Sequence, residues 1–242
     1  MKKILLIAFL LINHLSCADT LLGLYAGVQA GLYNGSGDLR ATNSNYNQAF
    51  SKIDKNSINS SSFFIALEHG IPLLPNIKLR RTNLQVDNFV NLDLVCTLDF
   101  PNRCFPETSL NLGHTDLTLY YELLDNWVNL DLGISASYFG GNIDFDTGLD
   151  SDVNYAKLVP AVYGKALFEM PITDLSTSLT VNIGSASNAN VSDIELAIEY
   201  KLSLGFTVEA GLRKQNIKLT QFNGTDLDFN ASGVFAGLNF HF

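Results

Sequence analysis

The sequence predicts a closed, antiparallel β-barrel that spans a membrane with ten strands. Three observations predict it: apolar residues recur at every second position, short and long connections alternate along the chain, and charge is scarce. Of the 242 residues, 47% are hydrophobic and only 16% are charged, against about 25% charged residues in a typical soluble domain. The formal net charge of −9 excludes nucleic acid as the main partner, because a phosphate backbone is bound by positive charge.

The N-terminal segment has the pattern of a secretory signal peptide. Two lysines precede an apolar run over 4–12, and small residues follow at Ser16 and Ala18. This order of basic, apolar and small residues predicts cleavage after Ala18 and export of the chain. The sequence is therefore divided into a signal peptide, 1–18, and a single barrel domain, 19–242.

Two other interpretations of the N-terminal segment remain open. An uncleaved anchor helix is disfavoured because a span needs about 20 apolar residues, and the run has nine. A lipoprotein cut before Cys17 is disfavoured because His14 stands where such sites carry an aliphatic residue.

After cleavage the chain retains two cysteines, Cys96 and Cys104, on either side of a turn at Pro101. In an exported protein, an isolated pair at this spacing predicts one disulfide that closes a loop. A metal site would need further ligands nearby, and the surrounding sequence offers none.

The hydrophobic period beyond residue 19 is two, which predicts strands rather than helices. In the first segment, apolar residues alternate from Leu22 to Leu32 with glycine, tyrosine and glutamine between them. Eleven residues of tilted strand rise about 25 Å, the height of the apolar band of an outer-membrane barrel. The ten predicted segments lie near 20–33, 61–69, 77–90, 109–121, 127–139, 153–168, 175–185, 192–200, 205–219 and 226–242. Eight strands are the alternative, if two segments have been divided too finely.

The connections differ in length on the two sides of the predicted barrel. Short ones, typical of periplasmic turns, lie at 70–76, 122–126, 170–174 and 201–204. Long polar ones, typical of extracellular loops, lie at 34–60, 91–108 and 140–152, and the same side has shorter links at 186–191 and 220–225. An even number of strands brings both termini to the side of the short turns.

Aromatic residues on the apolar face cluster beside the short turns and at the chain end. They are Tyr121, Phe168, Tyr200, Phe206, Phe240 and Phe242. An aromatic belt at one height is typical of a membrane interface. A soluble β-sandwich, the other fold compatible with the alternation, gives no reason for this placement.

The last strand is amphipathic and ends in phenylalanine. Its apolar face consists of Val234, Ala236, Leu238, Phe240 and Phe242. Such a strand resembles the signal that the barrel-assembly machinery of Gram-negative bacteria reads, and an unpaired edge can dock by strand pairing before the barrel closes. The assembly machinery is therefore an expected partner during biogenesis.

Several longer stretches carry a more specific resemblance. They are 18–27, 116–126, 130–133, 159–165 and 235–242. These stretches resemble a family of small outer-membrane β-barrel proteins of Gram-negative bacteria in the Campylobacter and Helicobacter group, and the similarity runs over essentially the whole mature chain. The resemblance implies the fold and the location, and it brings no catalytic or ligand residues. The cysteine-containing loop is not part of it.

The inward-facing positions carry charges of both signs. The predicted lumen charges are Asp131, Lys157, Lys165, Glu195, Glu199, Glu209 and Arg213. A barrel of eight to ten strands is filled largely by its own side chains, so opposite charges there are expected to pair. The main interpretation is a salt-bridged plug, and the alternative is a narrow water path that prefers cations.

A predicted extracellular loop carries four acidic residues and a glycine, which suggests a weak calcium candidate. The acidic residues are Asp144, Asp146, Asp150 and Asp152. Oxygen ligands of this kind suit Ca²⁺, but the glutamate that completes an EF-hand loop is missing. A solvated acidic loop is the favoured interpretation, and divalent bridging to lipopolysaccharide phosphates is the functional one.

Catalytic residues are not recognisable in the sequence. Among the mature histidines, His69 and His241 adjoin short turns, and His114 can share a strand face with Asp116, two residues further on. Enzymatic barrels need such a group together with a nucleophile or paired carboxylates, so we expect neither an enzyme nor a cofactor. The predicted function is an integral outer-membrane protein, structural or surface-interacting through its loops. The alternative is a narrow channel for small or hydrophobic solutes. Outer-membrane lipid and lipopolysaccharide are the expected partners, and the sequence identifies no extracellular ligand.

Overall fold

The computed structural model describes residues 22–43, 46–88, 108–145, 153–222 and 225–242. In this part of the chain eleven strands form one sheet: β1 (Leu22–Asn43), β2 (Tyr46–His69), β3 (Asn76–Asp87), β4 (Thr108–Asn111), β5 (His114–Leu124), β6 (Val128–Phe145), β7 (Val153–Glu169), β8 (Leu175–Ala186), β9 (Ala189–Lys201), β10 (Phe206–Phe222) and β11 (Thr225–His241). One 3₁₀ turn, Ser203–Gly205, precedes β10. Within these ranges, no helix has the length and apolarity to cross a membrane.

The sheet closes into a barrel. Each strand pairs antiparallel with its neighbours, and β1 pairs with β11 from Tyr25 opposite His241 to Ala41 opposite Thr225. Strands β4 and β5 lie end to end between β3 and β6, and together they form one wall position. The barrel therefore has ten positions, which confirms the predicted closed antiparallel barrel of ten strands over the alternative of eight.

Apolar side chains cover the outside of the barrel. On β1, Leu24, Val28 and Leu32 are 41%, 56% and 57% exposed, while the alternate residues face the lumen. Every described strand except the four-residue β4 carries large exposed aliphatic or aromatic side chains of this kind. A closed sheet satisfies its own backbone amides, so this exterior suits a hydrocarbon environment.

The first hairpin, formed by β1 and β2, is longer than the sequence suggested. Residues 34–60 were expected to form a loop, but the pairing of β1 with β2 continues up to Asn43 opposite Tyr46. The physical reason is an inward-facing set of apolar residues, Leu39, Ile53 and Ile58, which are at most 3% exposed. Their burial stabilises strand structure in a segment whose composition is otherwise polar.

The outward face of the sheet changes from apolar to polar at one height along the barrel axis, and the inward face changes from polar to apolar. The outward apolar row ends at three laterally paired residues, Leu32, Val234 and Leu212. Above it the outward residues are polar, as at the paired positions Asp38, Asp228 and Lys218. Because the side with the polar exterior is also the side of the long loops, this part of the barrel extends beyond the membrane.

The interior of this extension is filled by an apolar cluster, which we call the upper plug. It consists of Tyr33, Leu39, Ile53, Ile58, Leu84, Val86, Leu110, Leu112, Phe139, Val159, Ala189, Ile217, Leu219, Leu227, Phe229 and Ala231. Each of these residues is at most 5% exposed. Nearly all wall positions of the barrel contribute a side chain to it, so the upper plug closes the lumen at the loop end.

The opposite end carries the short turns and the aromatic residues. Tyr121, Phe168 and Tyr200 are 45%, 48% and 44% exposed there. The Tyr121 hydroxyl donates a hydrogen bond of 2.9 Å to the carbonyl oxygen of Leu73 in the turn between β2 and β3. The aromatic residues and the short turns therefore lie at the same end of the barrel, which we call the aromatic rim.

Candidate functional site

Below the upper plug, a network of charged residues crosses the lumen. Arg80 Nη1 lies 2.6 Å from Glu195 Oε1, and Arg213 Nε lies 3.0 Å from the same oxygen. Arg213 Nη2 lies 2.5 Å from Asp193 Oδ2. Strands β3, β9 and β10 position these residues because each occupies an inward-facing position of its strand. Two arginines and two carboxylates balance in formal charge, as buried ions require.

A polar layer extends the network to strands β1 and β2. Gln29 of β1 donates to Glu209 Oε1 at 2.8 Å and accepts a hydrogen bond of 2.9 Å from the Ser62 hydroxyl. Arg80 also donates to the Gln29 amide oxygen and, at 3.1 Å, to Ser62 Oγ. Gln29 therefore links strands on both sides of the lumen. We call Gln29, Ser62, Arg80, Asp193, Glu195, Glu209 and Arg213 the lumen network.

The candidate histidine lies inside the barrel rather than among the loops. His114 Nε2 is 3.6 Å from Asp116 Oδ2, and both residues are at most 5% exposed. The ring packs against Phe139 of the upper plug with centroids 4.7 Å apart, and Nδ1 lies 3.3 Å from the Leu112 carbonyl oxygen. His114 is therefore buried inside the barrel, next to the upper plug.

A cavity of about 570 Å³ opens at the turn end of the lumen. Its wall contains the aromatic residues Tyr25, Phe64, Tyr120 and Tyr163 together with several carboxylates and lysines. The Nζ atom of Lys78 lies 4.6 Å from the centroid of the Phe64 ring. We call this space the turn-side cavity. It has the size of a small-molecule pocket, for which about 300–1,000 Å³ is typical.

The predicted lumen charges are distributed over different heights. Glu195, Glu209 and Arg213 belong to the lumen network, as described above. The turn-side cavity is lined by Asp131, Lys165 and Glu199. Lys157 is half-buried on β7 beside the upper plug residue Val159.

Sequence reasoning missed several polar residues of the interior. Among them are Gln29, Lys78, Arg80 and Asp193. Each has the same inward position on its strand as its neighbours in the lumen, so the period-two pattern was sufficient to find them. The pattern gives only the face of the sheet, however, and not the partner across the lumen.

Some predicted sites fall on residues that the structure leaves undescribed. The signal peptide, 1–18, the cysteine pair Cys96 and Cys104, and the loop residues Asp146, Asp150 and Asp152 lie outside the described residues. The backbone of Asp144 belongs to β6 and pairs with Ser109. Among the described residues, no group of three or more histidine, cysteine or acidic residues is arranged to hold a metal ion.

Comparison with solved structures finds β-barrels of bacterial outer membranes. The outer membrane protease OmpT from Escherichia coli is 13% identical, with a TM-score of 0.53 and coverage of 91% of this chain and 97% of that chain. Neisserial surface protein A is 12% identical, with a TM-score of 0.38 and coverage of 90% and 96%. The translocator domain of NalP from Neisseria meningitidis is 14% identical, with a TM-score of 0.44 and coverage of 100% and 95%. No protein-family model matches the chain, and no curated protein matches it.

The closed sheet, its apolar exterior and its aromatic rim define the class of this protein. It is an integral β-barrel of the bacterial outer membrane. Within that class it is a ten-position barrel whose lumen is closed by the upper plug and the lumen network and whose turn end holds an open cavity.

Proposed function

We propose that the protein is a non-conducting outer-membrane barrel that acts at the cell surface through the part that extends beyond the membrane. The observation that carries this proposal is the upper plug, which fills the lumen at the loop end with side chains at most 5% exposed. Packing of this kind leaves no continuous water path, because protein interiors have few voids larger than a water molecule.

The exterior of the extension supports contact with the polar surface of the cell. On β1 the outward residues Ser36, Asp38 and Arg40 are exposed, and Lys218 and Asp228 form an outward ion pair of 3.3 Å at the same height. Charged groups just above the hydrocarbon are suited to the phosphates and sugars of lipopolysaccharide. Lipopolysaccharide is therefore the proposed partner of this surface. The barrel-assembly machinery is the proposed partner of the last strand.

A channel for small or hydrophobic solutes is the second candidate function, and the turn-side cavity favours it. That cavity reaches about 570 Å³ and is open at one end. Between it and the loops stand Arg80 and Arg213, each at most 8% exposed, and then the upper plug. A conducting state would have to separate these ion pairs and also open the plug.

Conductance across a planar bilayer tests the proposal. The wild-type barrel is expected to give no single-channel steps. A variant that combines Leu39→Ala and Phe229→Ala in the upper plug with Arg80→Ala and Glu195→Ala in the lumen network removes part of both barriers. It is expected to give steps and serves as the positive control. Regular steps from the wild type would overturn the non-conducting function and favour the channel. Folding of both proteins is checked by a heat-modifiability gel.

We also infer that the protein has no enzymatic activity. The inference is supported by the position of His114, which is 4% exposed and packed under the upper plug. A hydrolytic activity lost in a His114→Ala variant that still folds would contradict it. Three further proposals come from the sequence: membership in the Campylobacter and Helicobacter group family, the signal peptide, and the disulfide between Cys96 and Cys104.

A further inference from the structure

The turn-side cavity has an excess of negative charge. Six carboxylates and three lysines line it. One carboxylate and one lysine form an ion pair at the rim, where Lys201 Nζ lies 2.6 Å from Glu169 Oε1. The remaining wall therefore carries five carboxylates against two lysines.

Two pairs of like charges face each other across neighbouring strands of this wall. Glu122 of β5 is directly opposite Asp131 of β6, and Glu199 of β9 is directly opposite Glu209 of β10, a lumen-network residue that accepts a hydrogen bond from Gln29. Like charges at opposite positions destabilise a sheet. Within the described residues, no lysine or arginine nitrogen lies within 4 Å of Glu122, Asp131 or Glu199. Lys165 of β7 is directly opposite Asp131 and offsets part of this charge, but the remaining wall still has three more carboxylates than lysines.

Uncharged residues of the wall also present oxygen atoms that accept no hydrogen bond from the described residues. The side-chain oxygens of Asn129 and Asn239 are buried and have no partner among the described residues. The Tyr163 side chain, only 4% exposed, lines the same cavity, and its hydroxyl makes no hydrogen bond to the described part of the chain. A ligand that supplies N–H donors would satisfy such acceptors.

Two aromatic rings of the wall already contact an ammonium group, that of Lys78, and the wall offers further ring surface beside them. Lys78 Nζ lies 4.6 Å from the Phe64 ring centroid and 5.8 Å from the Tyr163 ring centroid. Both distances are within the range of about 6 Å in which an ammonium group is attracted to a ring face. Tyr120 lies 5.8 Å from Tyr163 between ring centroids and extends this surface.

We propose that the turn-side cavity binds an organic cation that carries ammonium groups on an apolar body, such as a diamine, from the periplasmic side. Its ammonium groups would offset the excess negative charge at Glu122, Asp131 and Glu199, and the apolar body would contact the tyrosine and phenylalanine rings. An organic cation fits better than a metal ion because the described carboxylates are spread over the wall rather than arranged as a ligand set. The proposal does not depend on the proposed surface function.

Calorimetric titration of the detergent-refolded barrel with 1,8-diaminooctane tests this proposal. We expect saturable binding of the diamine and none of 1,8-octanediol, which has the same length without charge. Glu122→Gln and Glu199→Gln variants are each expected to weaken binding about tenfold or more, because a charge-assisted contact is lost. Asp228→Asn is the matched control, since that carboxylate lies on the outer surface above the membrane.

The outcomes separate the possible sources of binding. A heat-modifiability gel first establishes that each variant folds, which is expected because the substitutions remove repulsion. Equal binding of the diol, absence of diamine binding, or an equal loss in Asp228→Asn would overturn the proposal. Tight binding of Mg²⁺ that is lost in Glu122→Gln and is not displaced by the diamine would also overturn it, in favour of a metal site.

Discussion

Arg213 and Glu195 are directly opposite each other on β10 and β9, with Nε 3.0 Å from Oε1, and they are 3% and 7% exposed. Glu195 also holds Arg80 from the far wall at 2.6 Å. Glu195 therefore connects two walls of the barrel through buried ion pairs, and the lumen network differs in this from a set of independent surface ion pairs.

Removal of Arg213 is expected to destabilise the barrel strongly. An Arg213→Met variant leaves the buried carboxylates of Asp193 and Glu195 with too little positive charge, and an unpaired buried ion costs about 3–5 kcal/mol. Urea titration of the refolded protein measures the change in the free energy of unfolding.

The control for this prediction is the exposed ion pair of Lys218 with Asp228. A Lys218→Met variant is expected to lose less than about 1 kcal/mol, because solvent screens surface pairs. Adding Asp193→Asn to Arg213→Met should restore part of the loss, because it removes one unpaired carboxylate and leaves Arg80 paired with Glu195. A loss in Arg213→Met no larger than that in Lys218→Met would show that the network contributes little.

The upper plug is expected to behave like the core of a soluble protein. Phe229 is fully buried in it, and truncating a core phenylalanine to alanine costs about 3–5 kcal/mol. Phe229→Ala should therefore lower the free energy of unfolding by that amount in a urea titration. Ser232→Ala, at an exposed position of the same strand, should have almost no effect, and similar losses in the two variants would contradict the buried plug.

The period-two pattern was enough to predict the closed barrel and its apolar exterior, but it underestimated the first two strands. On β1, the even positions are apolar up to Leu32 and polar from Asn34, whereas the odd position Leu39 is buried. A sequence pattern reads this change of hydrophobic face as the end of a strand. The structure shows that the strand continues and that its environment changes from lipid to water.

The contacts among interior residues could be predicted only in part, because a local pattern does not show which strands face each other across the lumen. The pattern places Glu195 and Arg213 on the inward face, and adjacent strands suggest that they pair. It also places Gln29 and Arg80 on inward faces, but it does not show that they reach the same group from other walls. Contacts across a lumen depend on the closure and stagger of the whole barrel, which no local pattern contains.

The direction of the barrel in the membrane is testable by labelling of intact cells. Asp38 is exposed on the polar extension of β1, and Leu204 is 85% exposed in the turn between β9 and β10. A membrane-impermeant maleimide is expected to label Asp38→Cys on intact cells and to label Leu204→Cys only after the outer membrane is permeabilised. The wild type, with its native cysteines, gives the background, and the reverse pattern would invert the proposed orientation.

The turn between β7 and β8 contains a strained residue whose replacement should stabilise the protein. Ile172 has φ of 72°, and the Thr173 amide donates a hydrogen bond of 3.3 Å to the Met170 carbonyl oxygen. With Pro171 before it, Ile172 occupies the turn position that favours glycine or asparagine. A β-branched residue is unfavourable in this left-handed conformation.

Ile172→Asn is therefore expected to raise the free energy of unfolding by about 1 kcal/mol, because asparagine tolerates the left-handed region. Ile172→Ala is the matched control: it removes the same exposed apolar side chain, but an alanine keeps the strain. Urea titration of both variants in detergent separates the two contributions. If alanine stabilises as much as asparagine, the loss of the exposed side chain and not the backbone conformation is responsible. If both substitutions lower the free energy of unfolding, the isoleucine side chain stabilises the rim by more than its backbone strain destabilises it.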